Sequence, residues 1–384
     1  MTHTLDSVRK LVPMIVDRAD EIERNRAMPR ELIEGLRSAG VFRMYVPRSH
    51  GGDEFNTIDA IEVIEELSRA DGSVGWIATI GASSPGVLCR WPPETYDEIY
   101  RHGPDVIHAG SLLPRGHAVV TDGGFRFSGQ WPFASGCEHA DFITFNAFVV
   151  DPSNAPPEGQ MPSSRAALVP ADQVKVLDTW HVSGLRGTGS HDIAVEDLFV
   201  PDEWTASILA PPPIIRHPLD TLPLLGRLGL ELAACAVGIG QGAIDDVINI
   251  AQSKRLMGGL LGRVAEDPVF QYKLGRLELD LRTARILLQH IARLDSEFAT
   301  RGAPPSQGEL LQRRTLLSRI AELTAAVVDG AYAACGTTGL YTSSPLQRRL
   351  RDVRALTQHI IFAYNAYTPA GALLLGEPVN AGLL

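Results

Sequence analysis

Phe127-Ser128-Gly129-Gln130-Trp131-Pro132-Phe133-Ala134-Ser135-Gly136-Cys137, followed by Glu138-His139-Ala140-Asp141, is the stretch on which the reading of this chain turns. Aromatic residues and small hydroxyl residues interleave in it. A flat apolar ring system with polar edge atoms requires an aromatic wall and hydroxyl or backbone donors at its rim, and Trp131, Phe133, Ala134 and Ser135 offer that combination. The plainer alternative is a strand with a buried Trp. Just upstream, Asp122-Gly123 separates His117-Ala118-Val119-Val120 from Phe125-Arg126-Phe127, which predicts a hairpin.

Working outward, β-rich runs extend over residues 106–200, and the pattern on either side is helical. Before them, Leu32, Ile33 and Leu36 follow Pro29, and Ile58, Ile61, Ile64 and Leu67 follow Asn56 and Thr57. After them, Ala210-Pro211-Pro212-Pro213 reads as a linker, and helical patterns occupy 227–255, 269–299, 308–335 and 346–363. The expected fold class is α+β: an N-terminal helical domain (1–105), a middle β-barrel-like domain (106–208) and a C-terminal four-helix bundle (209–384).

Bulk properties narrow the function. A net charge of -10 disfavours a phosphate-tracking surface, so no nucleic-acid partner is expected. Four widely spaced cysteines without Cys-x-x-Cys suggest neither disulfides nor a thiolate metal site, and a reduced, cytoplasmic setting. Residues 1–10 lack the apolar run of a secretion signal. The apolar stretch 228–250 is bordered or broken by Arg227, Glu231, Asp245 and Asp246, which predicts a buried helix rather than a membrane span.

Three blocks carry a resemblance. Residues 127–137 resemble the flavin-contacting strand of the acyl-CoA dehydrogenase superfamily, in the Trp-x-Phe-x-Ser-Gly-Cys form of its two-component flavin-dependent monooxygenases. Asp178-Thr179-Trp180-His181-Val182-Ser183-Gly184-Leu185-Arg186-Gly187-Thr188-Gly189-Ser190-His191-Asp192, continuing to Pro201, resembles the end of the same domain. Cys335-Gly336-Thr337-Thr338-Gly339-Leu340-Tyr341, with Arg351-Asp352 beyond it, resembles a Gly-rich turn that lies near the flavin of a neighbouring subunit. The resemblance implies that Arg255, Gly336 and Gly339 reach a cofactor across an interface, and hence a homotetramer. Taken singly, the two glycines fit a helix terminator and Arg255 a solvated cation.

Within that superfamily the residues separate dehydrogenase from oxygenase. The acid–base glutamate of the dehydrogenases would fall at Ile360, or in another branch at Leu228, and neither side chain abstracts a proton. Glu231 stands near, and its spacing predicts an ion pair with Arg227. His359 occupies the position where the resembling monooxygenases carry a histidine, suited to proton transfer near neutral pH around a flavin hydroperoxide. Its plain alternative is a helix histidine with a satisfied hydrogen bond. Many resembling phenol hydroxylases also carry a substrate-side histidine after Gly75-Trp76, where this chain has Ser84. His359 and Ser84 are thus the candidate catalytic residues, and Trp76, Ser84 and Arg227 the candidate substrate contacts.

Gly238-Ile239-Gly240-Gln241-Gly242-Ala243 mimics a dinucleotide fingerprint but lies inside a helical pattern with no strand before it. With no unit to bind NADH, a separate reductase would supply reduced flavin, FMN or FAD. The expected function is oxygenation of an aromatic or related small molecule. The alternatives are an amine N-oxygenase, an acyl-CoA dehydrogenase-like enzyme and a flavin-binding protein without catalysis.

Overall fold

The computed structural model describes residues 2–151, 163–208, 213–223, 225–255, 262–301, 303–362 and 366–379. Its first third is helical. Helix α1 (His3–Asn25) buries Leu5, Val8, Ile15, Ala19 and Ile22 along one face, and α2 (Arg30–Ser38) buries Leu32, Ile33 and Leu36 after Pro29. In α3 (Thr57–Ala70), Asn56 caps the first turn by accepting from the Asp59 N–H at 2.9 Å. The next helix, α4 (Gly72–Ser83), starts where the Asp71 carboxylate accepts from the Ser73 and Val74 N–H groups. Every α4 residue except Ile80 is buried, so this helix is the shared wall between the other layers. Two short helices, α5 (Pro85–Leu88) and α6 (Pro93–Ile99), lead to the sheet.

The middle region is a curled half-barrel with eight strands among the described residues: β1 (His108–Ser111), β2 (His117–Thr121), β3 (Gly124–Trp131), β4 (Phe142–Val150), β5 (Ser164–Pro170), β6 (Lys175–Leu177), β7 (Asp192–Pro201) and β8 (Thr205–Ala206). They lie in the order β6-β7-β3-β2-β4-β5-β8, with β1 also on β4. The hairpin is present. Asp122-Gly123 joins β2 to β3, whose register runs from Thr121 opposite Gly124 to His117 opposite Ser128, and Gly123 takes φ +71° as such a turn demands. The sheet's own core holds Phe127, Trp131, Ile143, Phe145, Val169 and Ile193.

The last region packs α7 (Gly226–Ser253), α8 (Pro268–Arg301), α9 (Gln307–Cys335), α10 (Pro345–Leu356) and α11 (Tyr367–Leu375). A Cβ on Gly238 would come within 2.4 Å of the Glu65 carbonyl oxygen of α3, one on Gly240 within 3.0 Å of Leu281 on α8 and one on Gly242 within 2.1 Å of Arg349 on α10, so the fingerprint-like glycines lie inside α7 and serve its close packing against three helices. Among the described residues α7 is the one helix long and apolar enough to cross a membrane, and 83% of its most apolar stretch is buried inside the protein. A buried bidentate pair, Arg313 to Asp295 at 2.7 and 2.6 Å, ties α9 to α8, and the same guanidinium donates to the Gly226 carbonyl at the start of α7.

Two expectations meet a different chain here. The linker residues Ala210, Pro211 and Pro212 lie outside the described residues, as does Ala363 at the end of the fourth helical pattern. More consequentially, that helix stops at Leu356. The N–H groups of Gln358 and His359 turn back to Ala355 and Leu356, three residues rather than four, so the last turn tightens and His359 stands in the connection after the helix.

Candidate functional site

Three regions of the chain meet at Trp76 on α4. Its indole N–H donates to Ser135 Oγ at 3.0 Å, and its ring stands edge-on to the His359 imidazole with centroids 5.8 Å apart. A line of hydroxyls continues from Ser135 through Ser190 (2.7 Å) and Thr188 (2.7 Å) to the Leu185 carbonyl (2.8 Å). Its direction follows from proton counting. Thr188 spends its single proton on Leu185, so Ser190 donates to Thr188, and Ser135 donates to Ser190. Ser135 then has only acceptor capacity left for anything else that meets it. The Leu185 N–H donates in turn to Asp352 at 2.6 Å, which fastens this rim to α10.

His359 is mostly buried, and burial pushes its pKa down to about 4. Its Nδ1 accepts from the Ile361 N–H at 3.3 Å. The neutral ring therefore carries its proton on Nε2, where it can donate a hydrogen bond.

The aromatic wall differs from the sequence expectation. Trp131 is fully buried in the sheet core, its ring 4.7 Å from Phe145 and its N–H donating to the Asn146 carbonyl at 2.5 Å. Ala134 is fully buried as well, and its N–H already donates to the His191 carbonyl. Neither presents a side chain to a ligand. Phe133 does: it is 62% exposed, sits at φ +64°, and meets Trp180 edge-on at 6.1 Å. A bulky residue in the left-handed region is strained, and such strain gathers at binding sites. Trp180, inside the second block quoted above, is the aromatic partner of Phe133 that sequence reasoning passed over.

Ser84 is likewise reassigned by its surroundings. It is buried, and its hydroxyl lies 3.1 Å from Nδ1 of His108 on β1, whose Nε2 lies 2.7 Å from Thr144 Oγ1. An imidazole thus stands beside Ser84, supplied by a strand and not by α4. Burial lowers its pKa to about 4.

Arg227 and Glu231 are one turn apart on α7 but are not paired with each other as expected. Glu231 accepts a short hydrogen bond from Ser83 Oγ. Arg227 lies over the Tyr45 ring at 4.4 Å and faces Asp220 at 4.0 Å. Because α7 is buried on nearly every side, neighbouring elements reach these side chains first. Burial raises the Glu231 pKa to about 7 against the opposing pull of Arg227.

The remaining residues form a second group. Lys254 donates to the Cys335 carbonyl at 2.7 Å, which ties the segment that carries exposed Arg255 to the turn of Gly336, at φ +61°, and Gly339. A Cβ on Gly339 would come within 2.6 Å of Cys335 Sγ. Arg227 opens α7 and Arg255 follows its end, and a helix of 28 residues spans about 42 Å. One chain therefore does not bring these two groups together.

Residues 2–91 match the acyl-CoA dehydrogenase N-terminal domain and residues 230–364 the acyl-CoA dehydrogenase C-terminal domain. An indole-3-acetate monooxygenase of Pseudomonas putida is 33% identical over 96% of this chain and 92% of its own. The chain belongs to the acyl-CoA dehydrogenase family. Another family relative, the oxygenase component of an FADH2-dependent resorcinol hydroxylase of a Rhizobium species, is 31% identical over 94% of this chain and 91% of its own. Among solved structures, XiaF from a Streptomyces species, in complex with FADH2 and glycerol, superposes with a TM-score of 0.89 at 26% identity, covering 98% of this chain and 95% of that one. The first of these is named a monooxygenase, the second an FADH2-dependent hydroxylase, and the third holds FADH2; this family member is a flavin-dependent monooxygenase.

The residues present fit a flavin. Exposed Phe133 with Trp180 gives an apolar face, and Ser135 is left as a pure acceptor, which suits the additional N–H of a reduced flavin ring. The positions of the dehydrogenase bases hold Leu228, half-buried in the core, and Ile360, 43% exposed.

Proposed function

We propose that this protein is the oxygenase of a two-component system that hydroxylates a small aromatic substrate, using reduced FMN or FAD from a separate reductase. The observation that carries this reading is the meeting of Trp76, Ser135 and the neutral His359 at one point, with no carboxylate at either dehydrogenase position. Bound there, the reduced flavin supplies the electrons that activate dioxygen. Phe133 and Trp180 would wall the ring, Ser135 would accept at its edge, and His359 Nε2–H would be the proton donor available beside it. Trp76 fixes the facing of His359 and closes the site to water. On the substrate side Ser84, backed by His108, and Arg227 line the approach. The discriminating experiment supplies reduced FMN through an added reductase and follows an aromatic substrate. Hydroxylated product that depends on the reductase supports the reading. Bleaching of bound flavin by an acyl-CoA thioester would support the dehydrogenase instead.

The wall makes a prediction with two signs. Phe133→Gly removes one ring contact of about 1.4 kcal/mol and should weaken reduced-flavin binding roughly tenfold. The same change relieves a left-handed residue, worth about 1–2 kcal/mol, so the melting temperature should hold or rise. Trp131→Ala, in contrast, should lower it. Fluorescence titration with FMN and calorimetry of the two variants check both.

The assembly we propose is a homotetramer, with Arg255, Gly336 and Gly339 serving a neighbour's flavin. Supporting it, α8 exposes Val269, Tyr272, Leu279 and Ile286 at spacings of three and seven residues, an apolar stripe on one face of a long helix. Light scattering should give four times the chain mass, and a monomer at micromolar concentration would contradict it. A cytoplasmic setting accords with four free buried cysteines.

A further inference from the structure

A small, partly open cavity of ≈ 30 Å³ lies between α5, the start of α7 and the turn at 218–221, bordered by Ser83, the residue before Ser84. It has room for one small polar group. Its lining is apolar apart from Ser83, Arg90, Asp220 and Arg227. Two of these carry donors that no protein atom accepts: Nη1 of Arg227, a residue 4% exposed, and Nε of half-buried Arg90. Leaving a buried guanidinium N–H unpaired is costly, and chains retain such groups where a ligand or water completes them.

The surroundings carry more cationic than anionic groups, although one oxygen of Asp220 and one of Glu231 are also without a hydrogen-bond partner. Asp220 is the nearest counter-charge, but one of its oxygens already accepts from the Arg216 and His217 N–H groups, and the other stands 4.0 Å from Arg227. Two guanidinium groups against one carboxylate leave a surplus positive charge. Glu231, one turn further along α7, has its pKa raised by burial to about 7, so its negative charge at neutral pH is reduced but not removed. The Tyr45 ring under Arg227 fixes the guanidinium plane, and a Cβ on Gly86 would come within 2.2 Å of Arg227 Nη2, so only glycine there leaves room for the guanidinium. Along α4, Ser83 and Trp76 are seven residues apart, about 10 Å of helix, which is the reach of an aromatic ring with a short acid side chain.

We propose that the Arg90–Arg227 cavity receives the carboxylate of the substrate, which makes the substrate an aromatic acid. This rests on the aromatic-hydroxylase reading and adds the acid to it. Bidentate recognition of a carboxylate is the work for which arginine geometry is suited.

Equilibrium dialysis of the purified protein, with and without FMN, tests it with indole-3-acetate and its uncharged amide as probes. The acid should bind at least tenfold more tightly than the amide, and Arg227→Gln or Arg90→Gln should each reduce that preference by about tenfold or more. Gly86→Ala should reduce it too, by displacing Arg227. If Arg227→Gln fails to fold, Arg90→Gln at its half-buried position decides alone. Equal binding of acid and amide, binding of neither, or a preference that survives the Arg90 change would overturn the proposal. Oxygenation of an uncharged aromatic would then still stand, whereas acid binding without any reductase-dependent oxygenation would remove the enzymatic reading and leave the cavity assigned.

Discussion

Asp295→Ala should destabilise the protein by about 3–5 kcal/mol, because it leaves the Arg313 guanidinium charged and uncompensated in the bundle interior. Asp295 is fully buried and Arg313 only 4% exposed, so water does not reach in to replace the lost partner. The damage should spread, since the same guanidinium holds the Gly226 carbonyl and so the start of α7, next to Arg227. Urea unfolding of the variant measures the loss. Replacing both partners together, Asp295→Leu with Arg313→Met, should recover most of it, because two matched apolar groups need no counter-charge. A loss below about 1 kcal/mol in the single variant would show that the pair is screened and that the bundle is anchored elsewhere.

His359→Ala should lower turnover by roughly 10²-fold or more, the usual scale of acid–base assistance, while flavin affinity and melting temperature change little. Reducing equivalents should then appear as hydrogen peroxide instead of product. The pH dependence separates this from a merely structural role. Burial holds His359 at about 4 in the folded protein against an ordinary value near 6.5, so the ring is neutral through the whole neutral range. The wild-type activity limb owed to His359 should therefore lie near pH 4 and be absent from the variant. Linkage has the same sign. The unfolded chain takes up this proton first, so the stability owed to the neutral ring is complete above pH 6.5 and is lost as the pH falls towards 4. A variant with normal product yield but a lowered melting point would retire His359 from the chemistry.

What was legible in the sequence was local. Asp122-Gly123 dictates its own hairpin because the turn conformation belongs to those two residues, and the helices of the first third declare themselves through the spacing of Leu32, Ile33 and Leu36. The flavin wall was half legible. Trp131 and Phe133 are two apart and would share a face in a continuing strand, but β3 ends at Trp131, Pro132 interrupts it, and Phe133 turns outward at φ +64°. The alternation that places Trp131 in the core therefore says nothing about Phe133.

Tertiary neighbours decided the rest. His108 and Ser84 lie 24 residues apart on a strand and at a helix end, and only the packing of β1 against α4 pairs them. The spacing of Arg227 and Glu231 was real, yet on an enclosed helix Ser83, Tyr45 and Asp220 outcompete the neighbour one turn away. The helix expected over 346–363 stops short of His359, because the exchange of four-residue for three-residue hydrogen bonds after Leu356 leaves no mark in hydrophobic periodicity.

The central claim is that this chain transfers an oxygen atom from dioxygen to an aromatic substrate at a reduced flavin. A single turnover under isotopically heavy dioxygen tests it most directly: protein loaded anaerobically with reduced FMN and indole-3-acetate is mixed with the labelled gas, and the product is weighed by mass spectrometry. Hydroxylated product should carry one heavy oxygen atom for each flavin oxidised, less whatever escapes as peroxide. Product whose new oxygen comes from water, or quantitative peroxide with none of a panel of aromatic acids and uncharged aromatics hydroxylated, would contradict it.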